Sequence, residues 1–194
     1  MSHYYTDNHN LPSDRKEISF RFSGLDYTFI TDIGVFSKSG VDYGTRVLLE
    51  SVPALKGTLL DVGCGYGVIS VVCAKAFGVD VTGVDVNSRA VELTLANAEK
   101  NGVAVKAMVS DGYEKVDGCF DTILTNPPIR AGKQVVHAIL EGAYAHLNVG
   151  GCLYAVIRKQ QGAPSAKKKI EEVFGQCEVI SKDAGYWILK AEKC

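Results

Sequence analysis

The sequence lacks a long apolar run and any large excess of charge of one sign. No uninterrupted apolar stretch approaches the ~20 residues of a membrane span, and residues 1–13 are polar and aromatic, without the apolar core of an export signal. The formal net charge is −1. We therefore expect no membrane association and no export. Any contact with RNA must come from a local basic patch, because the chain lacks the overall positive charge that many nucleic-acid-binding proteins carry.

The six cysteines form none of the spacings that hold a metal ion or a redox pair. None belongs to a C-x-x-C pair, and no two of them stand with histidine at zinc-finger spacing. Four lie inside apolar runs, where cysteine behaves as a small hydrophobic residue. The pattern predicts reduced thiols in a cytoplasmic protein, with no metal site.

The chain is long enough for one domain, and nothing in it marks a second. Its 194 residues can build one hydrophobic core. No repeat, linker or low-complexity segment interrupts the sequence, and only the N-terminal residues lack periodicity. We expect a flexible tail over residues 1–14 and a single domain over residues 15–194.

The sequence is organised around residues 58–67, which read T-L-L-D-V-G-C-G-Y-G. Apolar residues lead to Asp61, alternating glycines follow at Gly63, Gly65 and Gly67, and an apolar run resumes at Val68. This order predicts a strand, a tight turn and a helix. Glycine lets the backbone adopt positive φ and approach a ligand closely, and the first N–H groups of the helix point to the same place. A turn without a ligand is the alternative.

The spacing of these glycines excludes a dinucleotide. The dinucleotide fingerprint G-x-G-x-x-G/A requires a small residue where this chain has Val68. The pattern D-x-G-x-G-x-G, beginning at Asp61, instead resembles motif I of the S-adenosylmethionine-dependent methyltransferases. The resemblance implies that S-adenosylmethionine is the cofactor. It also implies that the turn, with Cys64 inside it, passes under the methionine part of the cofactor.

Strands and helices alternate strictly after the glycine turn. One predicted helix spans about residues 133–147 and precedes a strand at 152–157. The alternation predicts an α/β fold with a doubly wound, largely parallel sheet. In the methyltransferase resemblance the closing hairpin inserts antiparallel, which gives a seven-stranded Rossmann-like sheet. Residues 17–32 alternate on both sides of a turn and predict a separate N-terminal β-hairpin.

Four polar groups follow successive strands, at the edge where ligands of open α/β sheets bind. They are Asp61–Gly63, Asp85, Asp111 and Asn126. Asp85 can accept hydrogen bonds from both ribose hydroxyls of a nucleoside, and a helix N-cap is the alternative. Asp111 matches the family's third strand-end acid, whose implied partner is the adenine amino group, and a plain Asp-Gly turn is the alternative. The expected cofactor site also includes the neighbours Val86 and Gly112.

Asn126, Pro127 and Pro128 follow the fourth strand and are the expected catalytic residues. They resemble motif IV of amino methyltransferases, N-P-P-Y/F. The nitrogen of an exocyclic or amide NH₂ group is a poor nucleophile because its lone pair is delocalised. The Asn126 side-chain oxygen and the Pro127 carbonyl can accept both N–H bonds and direct the lone pair at the methyl group. Proline stiffens the loop by fixing φ, and a simple strand terminator is the alternative.

Ile129 stands where motif IV normally carries an aromatic residue. This difference argues against a DNA adenine methyltransferase or a release-factor glutamine methyltransferase. The run I-R-A-G-K that starts at Ile129, with G-V-F-S at residues 34–37, resembles the RsmC family. These are guanine-N2 methyltransferases of ribosomal RNA, whose catalytic half is the methyltransferase small domain. The resemblance implies ribosomal RNA or the small ribosomal subunit as partner, and the expected substrate-binding residues are Phe36, Ile129, Arg130 and Lys133.

The leading hypothesis is methylation of guanine N2 in 16S ribosomal RNA. Arg158 and Lys159 add positive charge on the crevice side, whereas lysines 167–169, in the helix beyond, are explained by ordinary solvation. One alternative is an N-methyltransferase of protein glutamine or another amine, against which Ile129 and the basic residues argue. The other is a cofactor-binding RNA or ribosome assembly factor without catalysis, against which the intact Asn-Pro-Pro motif argues. The sequence indicates no oligomeric state.

Overall fold

The computed structural model describes residues 12–37 and 39–194 of the chain. The N-terminal part forms a hairpin of β1 (Lys16–Phe22) and β2 (Leu25–Thr31), followed by α1 (Tyr43–Ser51). The alternating part begins with β3 (Thr58–Val62), α2 (Val68–Phe77), β4 (Asp80–Asp85), α3 (Ser88–Lys100) and β5 (Lys106–Val109). It continues with β6 (Phe120–Thr125), α4 (Lys133–Gly142), β7 (Leu147–Arg158), α5 (Ala163–Phe174), β8 (Glu178–Asp183) and β9 (Tyr186–Glu192).

Seven of the strands form one sheet in the order β5-β4-β3-β6-β7-β9-β8. β3 pairs in parallel with β4 and β6, and the parallel run extends to β5 on one side and β7 on the other. β9 lies antiparallel between β7 and β8. The predicted α/β fold, with a mostly parallel seven-stranded sheet and a separate hairpin, is confirmed. The strand order reverses between β3 and β6, which opens a crevice at the carboxyl ends of these strands.

Each face of the sheet carries its own apolar core, because successive residues of a strand point to opposite faces. Leu59 packs on one face with the hairpin, α1, α2 and α3, and Leu60 packs on the other with α4 and α5. Both leucines are fully buried. The two layers of helices hold the strand ends in fixed positions. No helix in the described ranges is both long enough and apolar enough to span a bilayer.

The predicted helix over residues 133–147 is wrong at its C-terminal end. α4 stops at Gly142, a short 3-10 turn follows, and β7 begins at Leu147 rather than at residue 152. Leu147 is buried, so the chain already enters the core at this point. Gly150 and Gly151, which resemble a helix stop in the sequence, lie within β7 where its register with β6 shifts. Their role is to accommodate the bulge.

Part of the predicted N-terminal tail is attached to the domain. Residues 1–11 lie outside the described ranges. Ser13 Oγ and Asp14 N donate to the buried carboxylate of Asp32, at 2.8 and 2.6 Å. Arg89 Nη1 donates to the Pro12 carbonyl at 3.2 Å. These contacts hold residues 12–14 against the domain, whereas the sequence predicted a flexible tail over residues 1–14.

Two asparagine side chains, from Asn97 in α3 and from its C-cap Asn101, complete the outer edge of β2, where a third strand is absent from the described hairpin sheet. Asn97 Oδ1 accepts from Ile30 N at 2.6 Å, and its Nδ2 donates to the Ile30 carbonyl at 2.8 Å. One helical turn later, Asn101 makes the same two bonds with Thr28, at 3.1 and 2.8 Å. Asn97 Nδ2 also donates to the Tyr66 carbonyl at 2.8 Å. The buried Asn97 amide therefore joins the hairpin to the glycine turn.

We expect Asn97→Ala to lower the free energy of unfolding by at least about 2 kcal/mol, because each buried backbone group left without a partner costs ~1–3 kcal/mol. Asn101→Ala is the matched control, since it removes the same type of contact from a half-buried position. It should cost less. Urea denaturation of the two variants measures the difference. Equal losses would show that the burial of the Asn97 amide does not set the cost.

Candidate active site

A cavity of about 350 Å³ opens at the carboxyl ends of β3, β4 and β6. This volume falls within the ~300–1,000 Å³ of small-molecule sites. The turn after β3 forms its floor, and the loop between β2 and α1 covers it. The structure brings together residues from all four predicted strand ends, namely Gly63, Cys64, Gly65, Asp85, Val86, Asp111, Gly112, Asn126, Pro127 and Pro128.

Backbone hydrogen bonds hold the turn after β3 to β4. The N–H groups of Gly63 and Cys64 both donate to the Val84 carbonyl, at 2.8 and 3.0 Å. Gly63 and Gly65 have φ values of 78° and 57°, and no atom lies within 4 Å of the place where a Cβ would stand on either residue. Both glycines therefore present bare backbone to open space, as the sequence predicted.

Gly67 has different surroundings from the other two glycines. It is the N-cap of α2 and does not line the cavity. A Cβ on Gly67 would lie 3.0 Å from the Cα of Thr94 in α3, and its φ is 92°. The close approach of α2 and α3 therefore requires this glycine, and the structure separates it from the cofactor residues with which the sequence grouped it.

Asp61, also predicted for the cofactor site, is fully buried and does not line the cavity. Its Oδ2 accepts from Ser70 N at 3.1 Å and from Ser70 Oγ at 2.6 Å, while Oδ1 has no partner in the described part of the chain. Burial raises the pKa of Asp61 to about 7. The charge of Asp85 raises this pKa further, whereas the hydrogen bond from the Ser70 hydroxyl lowers it. Asp61 therefore ties the first turn of α2 to the end of β3.

The Asp85 carboxylate stands at the end of β4 and is fixed by two backbone bonds. Gly65 N donates to Oδ2 and Asn87 N donates to Oδ1, both at 2.9 Å. Each oxygen keeps a further lone pair, which leaves two acceptors for two ribose hydroxyls. Burial raises the pKa of Asp85, and the bonds from Asn87 and Gly65 oppose this effect. Asn87 rather than Asp85 caps α3, because its Oδ1 accepts from Arg89 N at 3.1 Å.

Asp111 lines the cavity from the segment after β5 and is exposed. Glu114 N donates to the Asp111 carbonyl at 3.1 Å, and Gly112 has a φ of 52°. The turn that the sequence offered as an alternative is therefore present. It leaves the Asp111 side chain in the cavity wall, so the turn and the cofactor contact are compatible.

The loop before α1 covers the cavity with residues 35–37. Asn87 Nδ2 donates to the Gly34 carbonyl at 2.9 Å, and the Tyr66 hydroxyl donates to the Gly40 carbonyl at 3.2 Å. The covering loop is therefore hydrogen-bonded both to Asn87, the N-cap of α3, and to Tyr66 of the glycine turn.

Helix α1 holds the side-chain amide of Asn126 in one orientation. Nδ2 donates to Asp42 Oδ2 at 3.0 Å and to Thr45 Oγ1 at 2.9 Å. Because a carboxylate only accepts hydrogen bonds, the amide nitrogen must face Asp42. Asn126 Oδ1 has no partner in the described part of the chain and keeps its lone pairs for a ligand. Asp42 Oδ2 also accepts from Thr45 N at 3.1 Å, which caps α1.

Sequence reasoning missed several residues of the site. Nothing local in the sequence connects Asp42 with Asn126, which lie 84 positions apart. Val135 and Ile139 line the cavity from α4. The sequence could have predicted both residues, because residues four apart lie on the same face of a helix, and this helix starts shortly after the Asn-Pro-Pro motif.

Three of the four predicted substrate-binding residues lie beside the cavity instead of in its wall. Ile129 is half-buried and packs against the core under α4 and α5. Arg130 and Lys133 are exposed, in a short 3-10 turn and at the start of α4. The fourth, Phe36, lines the cavity and is 37% exposed. Phe36 therefore lies where a substrate-binding side chain was expected, whereas Ile129 packs against the core.

The charged side chains among the described residues of the cavity wall are all acidic. They are Asp42, Asp85 and Asp111, and no described lysine or arginine joins them. Such a wall repels the pyrophosphate of a dinucleotide and attracts a cation. S-adenosylmethionine carries a sulfonium and an ammonium group, with a ribose diol suited to Asp85. The residues present therefore fit this cofactor.

Comparison with known proteins assigns the chain to a family. Residues 26–190 match the family model described as the methyltransferase small domain. The chain belongs to this family. S-adenosylmethionine is the cofactor, in agreement with the acidic wall and the open glycine turn.

Three similar proteins illustrate the range of relatives of this methyltransferase small domain. The uncharacterized protein YbxB of Bacillus subtilis (strain 168) is 49% identical over 98% of both chains. Ribosomal RNA small subunit methyltransferase C of Shigella flexneri is 38% identical over 81% of this chain and 47% of its own length. A structure of the T. thermophilus 16S rRNA N2 methyltransferase RsmC, in complex with AdoMet and guanosine, has a TM-score of 0.84 and 32% identity, covering 95% of this chain and 52% of that one. The resemblance to RsmC is confirmed, and the chain spans about half the length of these two methyltransferases.

We expect the cofactor's ribose hydroxyls to bind the Asp85 carboxylate. The unmodified protein should bind S-adenosylhomocysteine at least about ten-fold more tightly than its 2′,3′-dideoxy analogue, because a hydrogen bond to a charged group contributes ~1.5–3 kcal/mol. In Asp85→Ala the two ligands should bind with similar, weaker affinity. Isothermal titration calorimetry measures all four affinities. A preference for the diol that persists in Asp85→Ala would assign it to another residue.

Proposed function

We propose that this protein methylates the N2 amino group of a guanine in 16S ribosomal RNA, with S-adenosylmethionine as the methyl donor. The observation that carries the proposal is the fixed Asn126 amide, which lines the cofactor cavity and whose Oδ1 has no partner among the described residues. An acceptor held in this way suits an NH₂ group. The names of the similar proteins support the substrate, since one acts on ribosomal RNA of the small subunit and another was solved with guanosine.

The guanine amino group needs two acceptors before its lone pair is available for reaction. Asn126 Oδ1 accepts one N–H bond and the Pro127 carbonyl accepts the other, so the lone pair points along the axis of transfer. When bound, S-adenosylmethionine supplies a methyl group whose bond to sulfur breaks as the bond to nitrogen forms, and the sulfur keeps the electron pair as a neutral thioether. The methylated nitrogen then loses one proton to water. Pro127 and Pro128 keep the loop stiff by fixing φ at both positions.

An apolar part of the cavity next to Asn126 suits a purine base. Phe36, Pro128, Val135 and Ile139 line it. A base turned out of its stack can lie against such faces while its edge meets Asn126. Phe36 and Val135, which are 37% and 40% exposed, stand where an incoming base makes its first contact. They replace the aromatic residue that motif IV normally places at Ile129.

Transfer of radiolabel from S-adenosylmethionine tests the proposal. Small ribosomal subunits, naked 16S ribosomal RNA and bulk protein are incubated with the enzyme in separate reactions. We expect label in RNA, either in the subunit or as naked RNA. Label confined to protein would indicate a glutamine or other amine substrate. Cofactor binding without label in any reaction would indicate a non-catalytic assembly factor, and either result overturns the proposal.

Asn126→Ala should reduce methyl transfer by at least about 100-fold, since misplacing a reacting group costs rates of this order. Its affinity for S-adenosylmethionine should stay within about two-fold of that of the unmodified protein, because the cofactor contacts of Gly65 and Asp85 are unchanged. Single-turnover kinetics and calorimetry measure the two quantities. If cofactor affinity collapses while transfer per bound cofactor is unchanged, Asn126 is a binding residue only.

Asp42→Ser should lower the rate of transfer by about ten-fold or more, because the shorter side chain cannot reach Asn126 and its amide loses its fixed orientation. Stability should change by less than about 0.5 kcal/mol, since serine caps a helix about as well as aspartate. Asp42→Asn is the matched control, because it removes the same charge but keeps an acceptor at the same distance. It should restore most of the rate. Equal rates for the two variants would show that the contact with Asn126 does not matter.

A further inference from the structure

We infer that a surface beside the cavity stacks against RNA bases that flank the target guanine. It consists of Tyr43, Arg158 and Tyr186, with Lys159 at its border, and we call it the tyrosine surface. The inference rests on the proposed function, because it names how the RNA substrate is bound next to the site of transfer. The partner is single-stranded or locally unstacked RNA.

The tyrosine surface lies on the same edge of the sheet as the cavity. Arg158 ends β7 and pairs in register with Tyr186, which begins β9. Tyr43 is the first residue of α1, directly after Asp42 in the cavity wall. β9 is two strands from β6, and adjacent strands lie 4.7–4.9 Å apart. Measured across the strands, Tyr186 is therefore about 10 Å from the axis of β6, which leads to Asn126. Nucleotides next to a guanine held at Asn126 therefore reach this surface.

Two aromatic rings and a guanidinium group form one continuous face. The ring centroids of Tyr43 and Tyr186 are 6.0 Å apart at an angle of 44°, and Arg158 Cζ lies 5.1 Å from the Tyr186 centroid. Tyr43 is 46% exposed. Gly44 permits this packing, because a Cβ on it would lie 2.7 Å from the Tyr186 ring. Tyr186 is half-buried, so the exposed part of the surface is the Tyr43 ring with the outer side of the Arg158–Tyr186 pair. Aromatic rings beside a guanidinium plane are the usual platform for unstacked bases.

The charge of the tyrosine surface suits a polyanion. Arg158 and Lys159 are exposed, and a neighbouring acid, Asp183, accepts from the Tyr43 hydroxyl at 2.8 Å. The cavity, by contrast, has only acids among its described charged residues. Phosphates are therefore attracted to the border of the site, while the uncharged base enters the cavity.

The other basic residues fit the same path in different ways. Arg130 and Lys133 stand on the α4 side of the cavity, so a strand can run from them across Asn126 to the tyrosine surface. The lysine triplet on α5 is largely paired within its own helix. Lys167 bonds to Glu171, and Lys169 lies 3.3 Å from Glu172. The triplet is therefore less available to phosphate than Arg158.

Fluorescence anisotropy with a short labelled single-stranded RNA, at low and at physiological salt, tests the inference. The double variant Tyr43→Leu with Tyr186→Leu should bind about ten-fold more weakly, because stacking contributes ~1–3 kcal/mol per base. The double variant Tyr43→Phe with Tyr186→Phe keeps both rings and should bind as the unmodified protein does. Arg158→Met should weaken binding and flatten its salt dependence. Lys106→Met, at the start of β5 on the opposite edge of the sheet, is the charge-matched control and should have no effect.

The outcomes separate this inference from the proposed function. Thermal unfolding and cofactor affinity equal to those of the unmodified protein show that each variant is folded. Leucine variants that bind RNA as tightly as the phenylalanine variants, or an unmodified protein that binds no RNA, would overturn the tyrosine surface. Ring-dependent RNA binding without transfer to ribosomal RNA would leave the surface standing and refute the proposed reaction.

Discussion

A hydrogen bond between the carboxylate of Asp42 and the amide of Asn126 joins helix α1 to the end of the central strand β6, and the proposed methyl transfer depends on it. The same carboxylate begins α1 by accepting from Thr45 N. Helix α1 packs in the core that also contains Leu59 of β3. Asn126 is therefore positioned by a helix that packs against the core, and not by its own loop alone. Positioning is what a pre-activated methyl donor requires of its enzyme.

The cofactor side of the cavity is held by a second set of hydrogen bonds. Asn97 in α3 joins β2 of the hairpin to the Tyr66 carbonyl, and the Tyr66 hydroxyl bonds to the loop that covers the cavity. Gly65 N bonds to the Asp85 carboxylate. The turn after β3, the loop that covers the cavity and Asp85 therefore form one unit that is linked by hydrogen bonds. The N-terminal hairpin, which lies outside the main sheet, contributes to the site by supporting this unit through α3.

The sequence predicted the parts of the site that follow a local pattern. Gly65, Asp85 and Asn126 each lie at or shortly after the carboxyl end of a strand, and parallel topology brings such ends together. The partner of Asn126 was not predictable, because Asp42 belongs to a distant helix that only tertiary packing brings near. The surroundings of Ile129 were not predictable for the same reason: it is half-buried and packs against the core, and the sequence shows only its position after the prolines. The contact of Gly67 with α3 is likewise a property of helix packing.

The central claim is that the fixed Asn126 amide directs methylation to guanine N2. Its most direct test is mass spectrometry of nucleosides from 16S ribosomal RNA after reaction of small subunits with the enzyme and isotopically labelled S-adenosylmethionine. The account predicts labelled N2-methylguanosine with the unmodified protein and its absence with Asn126→Ala. Label on another atom of guanine, on another base, or at equal levels with both proteins would contradict it.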